Sequence, residues 1–242
     1  MKGWYGEDLA YIHDAGFGDF ARGSAPGILE ILDRNGIREG LVVDLGCGSG
    51  LWARELAKAG YRVLGVDISE AMIEIARNRV PEAEFRVASL FEAEIPRCNA
   101  VTALGEVLNY LFDPNHDDRT LTQLFRRVYD ALAPSGVFVF DIAEPGQAAW
   151  ETTTRGFTEG ENWVVLVEKE EDRGTLTRRI ATFRKVGEHY RRSDEVHRQR
   201  LYEAQDIAAE LRRVGFQVRT RRGYGRYTLP RARAAFVARK PL

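Results

Sequence analysis

Residues 41–50 read LVVDLGCGSG, and this stretch decides the fold. A short apolar run ends in an acid, Asp44, and three glycines follow at alternate positions, Gly46, Gly48 and Gly50. The next segment, LWARELAKAG, is typical of a helix. Strand, glycine loop and helix in this order predict a nucleotide pocket, because glycine permits positive φ and lets a ligand approach the main chain closely.

A second predicted strand, YRVLGVD, ends at Asp67. An acid at the tip of the second strand usually accepts hydrogen bonds from a ribose. The glycine spacing is G-x-G-x-G, which differs from the G-x-G-x-x-G of dinucleotide folds. The acid before the loop also suits a ligand that carries a positive group better than it suits a diphosphate.

DLGCGSG followed by GVDIS resembles motif I and the acidic post-I motif of class I S-adenosylmethionine (SAM) dependent methyltransferases. The resemblance covers residues 25–145 and 204–240. It implies SAM as cofactor and S-adenosylhomocysteine (SAH) as product. It also implies an α/β, Rossmann-like, doubly wound sheet of seven strands in the order 3-2-1-4-5-7-6, with the last strand antiparallel.

The composition is that of an ordinary globular protein. The chain has 242 residues, 44% of them hydrophobic, and a formal net charge of -1, so no global charge drives it toward nucleic acid or acidic membranes. Two cysteines are too few for a disulfide framework. The N-terminus lacks the apolar region of a signal peptide, and no apolar run approaches the length of a membrane span. We therefore expect a cytoplasmic protein.

The pattern changes after the fifth predicted strand, GVFVFDI. Residues 162–172, 175–186 and 189–202 alternate polar and apolar side chains between hairpin signals, which predicts an inserted antiparallel layer of three strands. The predicted organisation is an N-terminal lid (1–24), a SAM-binding domain (25–145 and 203–242) and an inserted subdomain (146–202) that closes on the substrate. The insertion resembles that of several small-molecule N- and O-methyltransferases in position only. Ser24 and Ser69 are predicted helix N-caps.

The resemblance implies a role for each residue that matches the family's motifs. Asp44 is expected near the methionine amine, and Asp67 at both ribose hydroxyls. Ser89, with Leu90, stands where the family usually has an acid that holds the adenine amino group, so this chain departs from the pattern there. The remaining expected cofactor contacts are Gly46, Cys47, Gly48 and Gly50 on the methionine and ribose side, Ile68 and Met72 on the adenine, and Gly105 at the methyl-donor edge.

Methyl transfer from a sulfonium needs positioning more than a fixed catalytic triad, because the donor is already activated. Glu106 is the first candidate for orienting the acceptor or accepting its proton, and His13, in the predicted lid, is the second. Asn109 and Tyr110, in the segment GEVLNYL, are candidate acceptor contacts. The alternative is that this segment only fixes its loop or touches SAM.

Three further hypotheses depend on the rest of the chain. Residues 211–242 carry ten basic side chains and no acid, which would suit an RNA-binding stripe, a pocket for an anionic acceptor or a solvated edge. An RNA or protein methyltransferase, or a SAM-binding protein without catalysis, therefore stays open beside the small-molecule enzyme. His116 lies in NHDD, which we interpret as an N-cap loop, and no metal site is predicted. A homodimer is possible, with a partner subunit helping to close the acceptor pocket.

Overall fold

The computed structural model describes residues 4–113, 118–148 and 153–242. No helix within these ranges is long and apolar enough to cross a membrane. The helices are α1 (Glu7–Gly16), α2 (Asp19–Arg34), α3 (Leu51–Lys58), α4 (Glu70–Arg79), α5 (Asp118–Ala131) and α6 (Ala204–Val214), with a 3₁₀ turn at Val107–Asn109. The strands are β1 (Leu41–Leu45), β2 (Arg62–Asp67), β3 (Glu84–Val87), β4 (Cys98–Ala103), β5 (Leu132–Ala143), β6 (Thr154–Gly160), β7 (Trp163–Asp172), β8 (Thr175–Val186), β9 (His189–Arg200), β10 (Gln217–Arg221), β11 (Gly223–Tyr224), β12 (Tyr227–Thr228) and β13 (Arg233–Arg239).

Seven strands form the central sheet in the order β3-β2-β1-β4-β5-β13-β10. Strands β3, β2, β1, β4 and β5 are parallel, whereas β13 runs antiparallel to both β5 and β10. With β10 and β13 as the sixth and seventh strands, the predicted order 3-2-1-4-5-7-6 is confirmed. The carboxyl ends of β1, β2 and β4 therefore meet at one edge, which is where ligands bind in open α/β sheets.

Helices cover both faces of the central sheet. Successive residues of β1 point to opposite faces: Val42 belongs to an apolar cluster with α2, α3 and α4, and Val43 to a cluster with α5 and α6. Both valines are fully buried. A strand that is buried on both faces is apolar at successive positions, which explains why the run LVV predicts a central strand.

The insertion forms a second sheet of four strands in the order β6-β7-β8-β9. Strands β7, β8 and β9 match the three that the alternation predicts. The fourth, β6, differs from the prediction, and it pairs antiparallel with β7 over its whole length. Every residue of β6 is exposed, so its sequence carries no alternation of polar and apolar side chains.

The two predicted helix caps have different outcomes. Ser69 is the N-cap of α4, and its hydroxyl accepts from Met72 N at 3.1 Å, as predicted. Ser24 was the wrong residue for a helix start, because α2 begins at Asp19 and contains both Ser24 and Pro26. The Ser24 hydroxyl instead donates to Phe20 O, one turn back, at 2.7 Å. Burial of the helix against the main domain outweighs the local signal.

Candidate functional site

The glycine loop connects β1 to α3 at the ligand-binding edge of the sheet. Gly46, Gly48 and Gly50 have φ of 72°, 53° and 75°, a region that favours glycine. A Cβ on Gly46 would lie 2.6 Å from Val107, whereas one on Gly48 would meet nothing within 4 Å. The loop at Gly48 therefore borders open space into which a ligand can fit closely.

Asp67, at the end of β2, closes the loop from the opposite side. Its Oδ2 accepts from Gly48 N and its Oδ1 from Ser69 N, both at 2.9 Å. Burial raises the pKa of Asp67, while the backbone hydrogen bonds act to lower it. A carboxylate oxygen has a second lone pair, so both oxygens retain acceptor capacity for hydroxyl groups of a ligand.

Asp44, at the carboxyl end of β1, lies at the bottom of the site and is 2% exposed. Its Oδ1 accepts from the Thr102 hydroxyl at 2.7 Å, and Thr102 Oγ1 accepts from Trp52 Nε1 at 3.2 Å. Burial raises the pKa of Asp44 to about 7, although the Thr102 hydrogen bond acts to lower it. No ion pair among the described residues involves Asp44 or Asp67. Asp44 is buried and Asp67 is half-buried, and neither has a cationic partner among the described residues, which favours a ligand with a positive group and hydroxyls.

A cavity of about 520 Å³ extends from the glycine loop toward the inserted sheet. This volume lies within the usual range for small-molecule sites. Most of the predicted site residues line it: His13, Asp44, Gly46, Cys47, Gly48, Asp67, Ile68, Met72, Ser89, Leu90, Gly105, Glu106 and Tyr110. The sequence prediction thus selected residues from five separate segments that the fold brings to one space.

Two predicted site residues lie elsewhere. Gly50 is the N-cap of α3 and does not line the cavity; a Cβ on it would press on Ala76 at 3.0 Å. Asn109 is fully buried, and its amide bonds to the backbone of Ala143 and Arg200. These contacts anchor the loop, which is the alternative that the sequence left open, and Asn109 is withdrawn as an acceptor contact.

Asp113 lies next to Ser89, the position at which the family usually has an acid. The Ser89 hydroxyl donates to Asp113 Oδ2 at 2.8 Å, and both residues line the cavity. Asp113 follows the 3₁₀ turn, well beyond the end of β3, so sequence spacing gave no reason to select it. Asp113 therefore places a carboxylate beside Ser89, although it belongs to a different loop.

Glu106 has a different environment from the one expected of a proton acceptor. It is 3% exposed, its Oε1 accepts from Arg178 Nη2 at 2.8 Å, and its Oε2 lies 2.7 Å from Arg233 Nη2. Asp141 Oδ2 accepts from Glu106 N at 2.9 Å and fixes its left-handed backbone, φ 57°. Two guanidinium groups compete for the carboxylate, so Glu106 is better suited to positioning these arginines than to accepting a proton.

His13, on α1, faces the same cavity. Burial lowers the pKa of His13, Asp14 opposes this, and His197 lowers the pKa further. The imidazole is therefore neutral near pH 7, and its Nδ1 is buried without a hydrogen-bond partner among the described residues. A neutral imidazole is the form that can accept a proton.

The roof of the cavity consists of α1 and the inserted sheet, tied by polar contacts. Glu195, on β9, accepts from Tyr5 N and Gly6 N, both at 2.9 Å. Asp8 forms a bidentate pair with Arg191, both contacts at 2.6 Å. The N-terminal segment therefore contacts β9 directly, at a sequence separation of more than 180 residues.

Two aromatic side chains that the sequence did not indicate, Tyr5 and Phe112, line the cavity beside the predicted Tyr110. Tyr5 and Tyr110 share a hydrogen bond between their hydroxyls at 3.0 Å, and Phe112 packs on Tyr110 with ring centroids 4.6 Å apart. Burial raises the pKa of both phenols, so they are neutral donors near pH 7. His116 lies outside the described residues, and no group of three His, Cys, Asp or Glu within them is arranged to hold a metal ion.

Comparison with known proteins agrees with this geometry. Residues 42–136 match a family model described as a methyltransferase domain. The methyltransferase YqeM from Bacillus subtilis (strain 168) is 26% identical over 191 residues, 74% of each protein. A SAM-dependent methyltransferase from Clostridium acetobutylicum superposes with a TM-score of 0.82 at 20% identity, over 97% of this chain and 98% of that one. The sugar N-methyltransferase KedS8 from Streptoalloteichus sp. gives 0.80 at 20% identity, over 100% and 96%.

Proposed function

We propose that this chain, whose residues 42–136 form a methyltransferase domain of the class I SAM-dependent type, transfers a methyl group to a nitrogen or oxygen atom of a small molecule. The observation that carries the proposal is one continuous cavity of about 520 Å³. At one end the cavity has the glycine loop and two carboxyls, Asp44 and Asp67, which have no ion-pair partner among the described residues. At the other end it has a separate set of polar and charged side chains. A covered cavity of this size suits two small molecules side by side better than a polymer.

The residues present fit SAM. Asp67 would accept hydrogen bonds from the ribose hydroxyls, and Ile68 and Met72 would pack on the adenine. Asp113, through its position beside Ser89, would accept from the adenine amino group. Asp44 would neutralise the charge of the ammonium group in the methionine part of SAM. That part would lie over the open face of Gly48. Each of these groups lines the cavity.

SAM supplies a methyl group activated by a positively charged sulfur. The chain's own contribution is to hold the acceptor in line with that methyl group and to keep water away. An amine acceptor needs only to arrive neutral, with its lone pair directed at the methyl carbon. The proton that it releases after transfer has a buried acceptor in His13, whose neutral imidazole faces the cavity.

The coverage of the site supports the proposed lid and inserted subdomain. Residues 1–24 and 146–202 would close over the domain made of residues 25–145 and 203–242. Ser49 Oγ donates to Asp14 Oδ1 at 2.6 Å, which joins α1 to the glycine loop. Ser69, the N-cap of α4, donates through Oγ to Tyr5 O at 2.8 Å, which joins the N-terminal segment to α4. Because these contacts bridge the cofactor end, the N-terminal segment must shift for SAM to enter.

An RNA or protein substrate is the weaker hypothesis. Several of the C-terminal basic side chains are used within the fold: Lys240 Nζ donates to the carbonyls of Tyr129 and Leu132, Arg213 pairs with Glu210, and Arg233 pairs with Glu106. These three of the ten basic side chains therefore have partners within the fold. A SAM-binding protein without catalysis would have the same cofactor end, so turnover is the deciding property.

The homodimer and the cytoplasmic location stay predictions. The outer face of the inserted sheet exposes Phe157 (70%) and Leu166 (43%), which lie directly opposite each other on β6 and β7. Light scattering coupled to size exclusion would give the mass of the assembly. A monomer at the concentrations used for catalysis would exclude a partner subunit from the acceptor pocket.

Calorimetric titration with SAM and with SAH tests the cofactor end. We expect binding of both, and a loss of at least about tenfold in affinity in Asp67→Ala, because hydrogen bonds to a charged group contribute about 1.5–3 kcal/mol each. Glu70→Ala, an exposed acid three positions away, is the matched control. A folded protein that binds neither ligand would refute the assignment. A screen of amines, hydroxyl compounds and carboxylates for SAH release then tests catalysis.

A further inference from the structure

The end of the cavity around Glu106 is lined by three cations from three strands: Lys169 on β7, Arg178 on β8 and Arg233 on β13. Lys169 and Arg178 are directly opposite each other in the antiparallel register of the inserted sheet. Like charges in that arrangement destabilise a sheet. Because Lys169 and Arg178 nevertheless lie on the face that lines the cavity, we expect their positive charges to have a functional role.

The carboxylates at this end do not balance the cations. Glu106 lies between Arg178 and Arg233 and contacts both. Asp141 lies beneath, and its oxygens are taken by the backbone N–H groups of Gly105 and Glu106 and by a tyrosine hydroxyl. Even when both acids are counted as charged, three cations face two anions. A network whose only role was to join the inserted sheet to the main domain would not require an excess of positive charge.

Lys169 carries that excess charge. Its ammonium is half-buried, and no carboxylate of the described residues lies within 4.0 Å of it. On β7, Glu171 shares the face of Lys169, and its oxygens accept from Gly146 N and Ala148 N. Glu168 and Glu170, on the opposite face, pair with Arg155 and Arg179. Burial lowers the pKa of Lys169, and repulsion from Arg178 and Arg233 adds to this, with Glu106 opposing. An anion beside Lys169 would relieve both effects.

The arginines also retain donors. Arg178 Nη2 donates to Glu106, Nη1 donates to the Tyr110 hydroxyl at 3.4 Å, and Nε has no hydrogen-bond partner among the described residues. The planar fork of a guanidinium matches the two oxygens of a carboxylate or a phosphate, and lysine adds a point charge beside it. The phenols of Tyr5 and Tyr110 supply neutral donors at the same end.

We propose that Lys169, Arg178 and Arg233 form an oxyanion clamp, which holds a carboxylate or phosphate group of the methyl acceptor. This inference rests on the proposed function and specifies its substrate class: a small anionic molecule. The clamp holds the charged group at the inserted sheet and leaves another part of the acceptor to face the methyl donor. Glu106 is then a positioning residue, which keeps the two arginines apart and oriented.

The test is calorimetric titration of the SAH-saturated protein at constant ionic strength with paired probes. Glutarate and citrate are compared with glutaramide, and glucose 6-phosphate with glucose. We expect at least one charged probe to bind and its neutral counterpart not to bind, and the arm that responds tells carboxylate from phosphate. Equal binding of charged and neutral probes, or no binding of either, would overturn the proposal.

Variants separate this proposal from the proposed function. Lys169→Met keeps the length of the side chain and removes the charge; we expect anion affinity to fall about tenfold or more, Lys169→Arg to restore it, and SAH affinity to stay unchanged. Lys185→Met, an exposed lysine on β8, is the matched control. Full anion affinity in Lys169→Met contradicts the clamp alone, whereas failure of SAH to bind contradicts the cofactor site. Should Lys169→Met not fold, Arg178→Lys tests the same clamp, because it keeps the charge and loses the fork.

Discussion

The protonation state of Asp44 makes cofactor affinity depend on pH. Burial raises the pKa of Asp44 to about 7 in the ligand-free protein. The proposed partner of Asp44 is an ammonium group, which is attracted only to the ionised carboxylate. Binding of SAM must therefore release a proton from the protein at a pH below about 7, and affinity must rise as the pH is raised.

The size of the effect follows from the ionised fraction. With a pKa of about 7, about one half of Asp44 is ionised at pH 7 and about one in eleven at pH 6. SAM affinity should thus increase about fivefold between pH 6 and pH 7, and about tenfold per unit below pH 6, equivalent to about 1.4 kcal/mol per unit. Titration in two buffers of different ionisation enthalpy would report the released proton directly.

The matched variant is Asp44→Asn, which keeps the shape of the side chain and cannot ionise. We expect weak SAM binding that does not change between pH 5.5 and pH 7. Thr102→Val removes the hydrogen bond that lowers the pKa of Asp44, so the rise in affinity should move to higher pH. If wild-type affinity were flat over this range, Asp44 would not face a cation, and its assignment to the methionine part would be wrong.

Three further predictions address the lid, the adenine end and the packing of α2. Asp8→Ala removes the bidentate ion pair with Arg191 on β9, and we expect stopped-flow measurements to give dissociation of SAM about tenfold faster. An unchanged rate would mean that α1 does not hold the cavity closed. Asp113→Ala should weaken SAM binding about tenfold in calorimetry, and wild-type affinity would remove this residue from the adenine site. Gly27→Ala places a Cβ 2.2 Å from Tyr224 O and should lower the melting temperature by several degrees, whereas Gly156→Ala, with nothing within 4 Å, should not; equal effects would contradict the packing argument.

The part of the fold that could be predicted is the part encoded by short, local sequence patterns. The apolar run before Asp44, the alternate glycines and the acid Asp67 each require only a few neighbouring residues to interpret. The strand order then followed from the family resemblance, because the sequence of strands and helices fits the doubly wound topology. These strands end at one edge of the sheet, so the residues proposed to bind the cofactor could be selected one by one from the motifs.

The opposite end of the cavity could not be predicted in this way. Lys169 and Arg178 alternate with other charged residues along β7 and β8, and the sequence alone does not say which face of the inserted sheet is covered. Arg233 was one of ten basic residues in the C-terminal stripe, and only the antiparallel pairing of β13 with β5 brings it to Glu106. Asp113 reaches Ser89 from another loop. These are contacts between distant segments, and no local spacing encodes them.

The same feature explains the error at Ser24 and the role that we propose for Glu106. Ser24 has the chemistry of an N-cap, yet the helix extends through it because Ala25 and Ile28 are buried against the main domain. Glu106 has the position of a proton acceptor, yet two arginines from other elements surround it. In both cases a local property was interpreted correctly and a distant partner changed its consequence.

The contacts of α1 with β9 have a consequence for the order in which the molecule is made. This helix is synthesised before the central sheet, but Arg191 and Glu195, which hold its start, follow more than 180 residues later. The growing chain can therefore complete β1, the glycine loop and β2 long before α1 can dock on β9. We expect the nascent protein to hold an open cofactor edge until the inserted sheet has emerged, so that a helix synthesised before the central sheet is fixed in position after it.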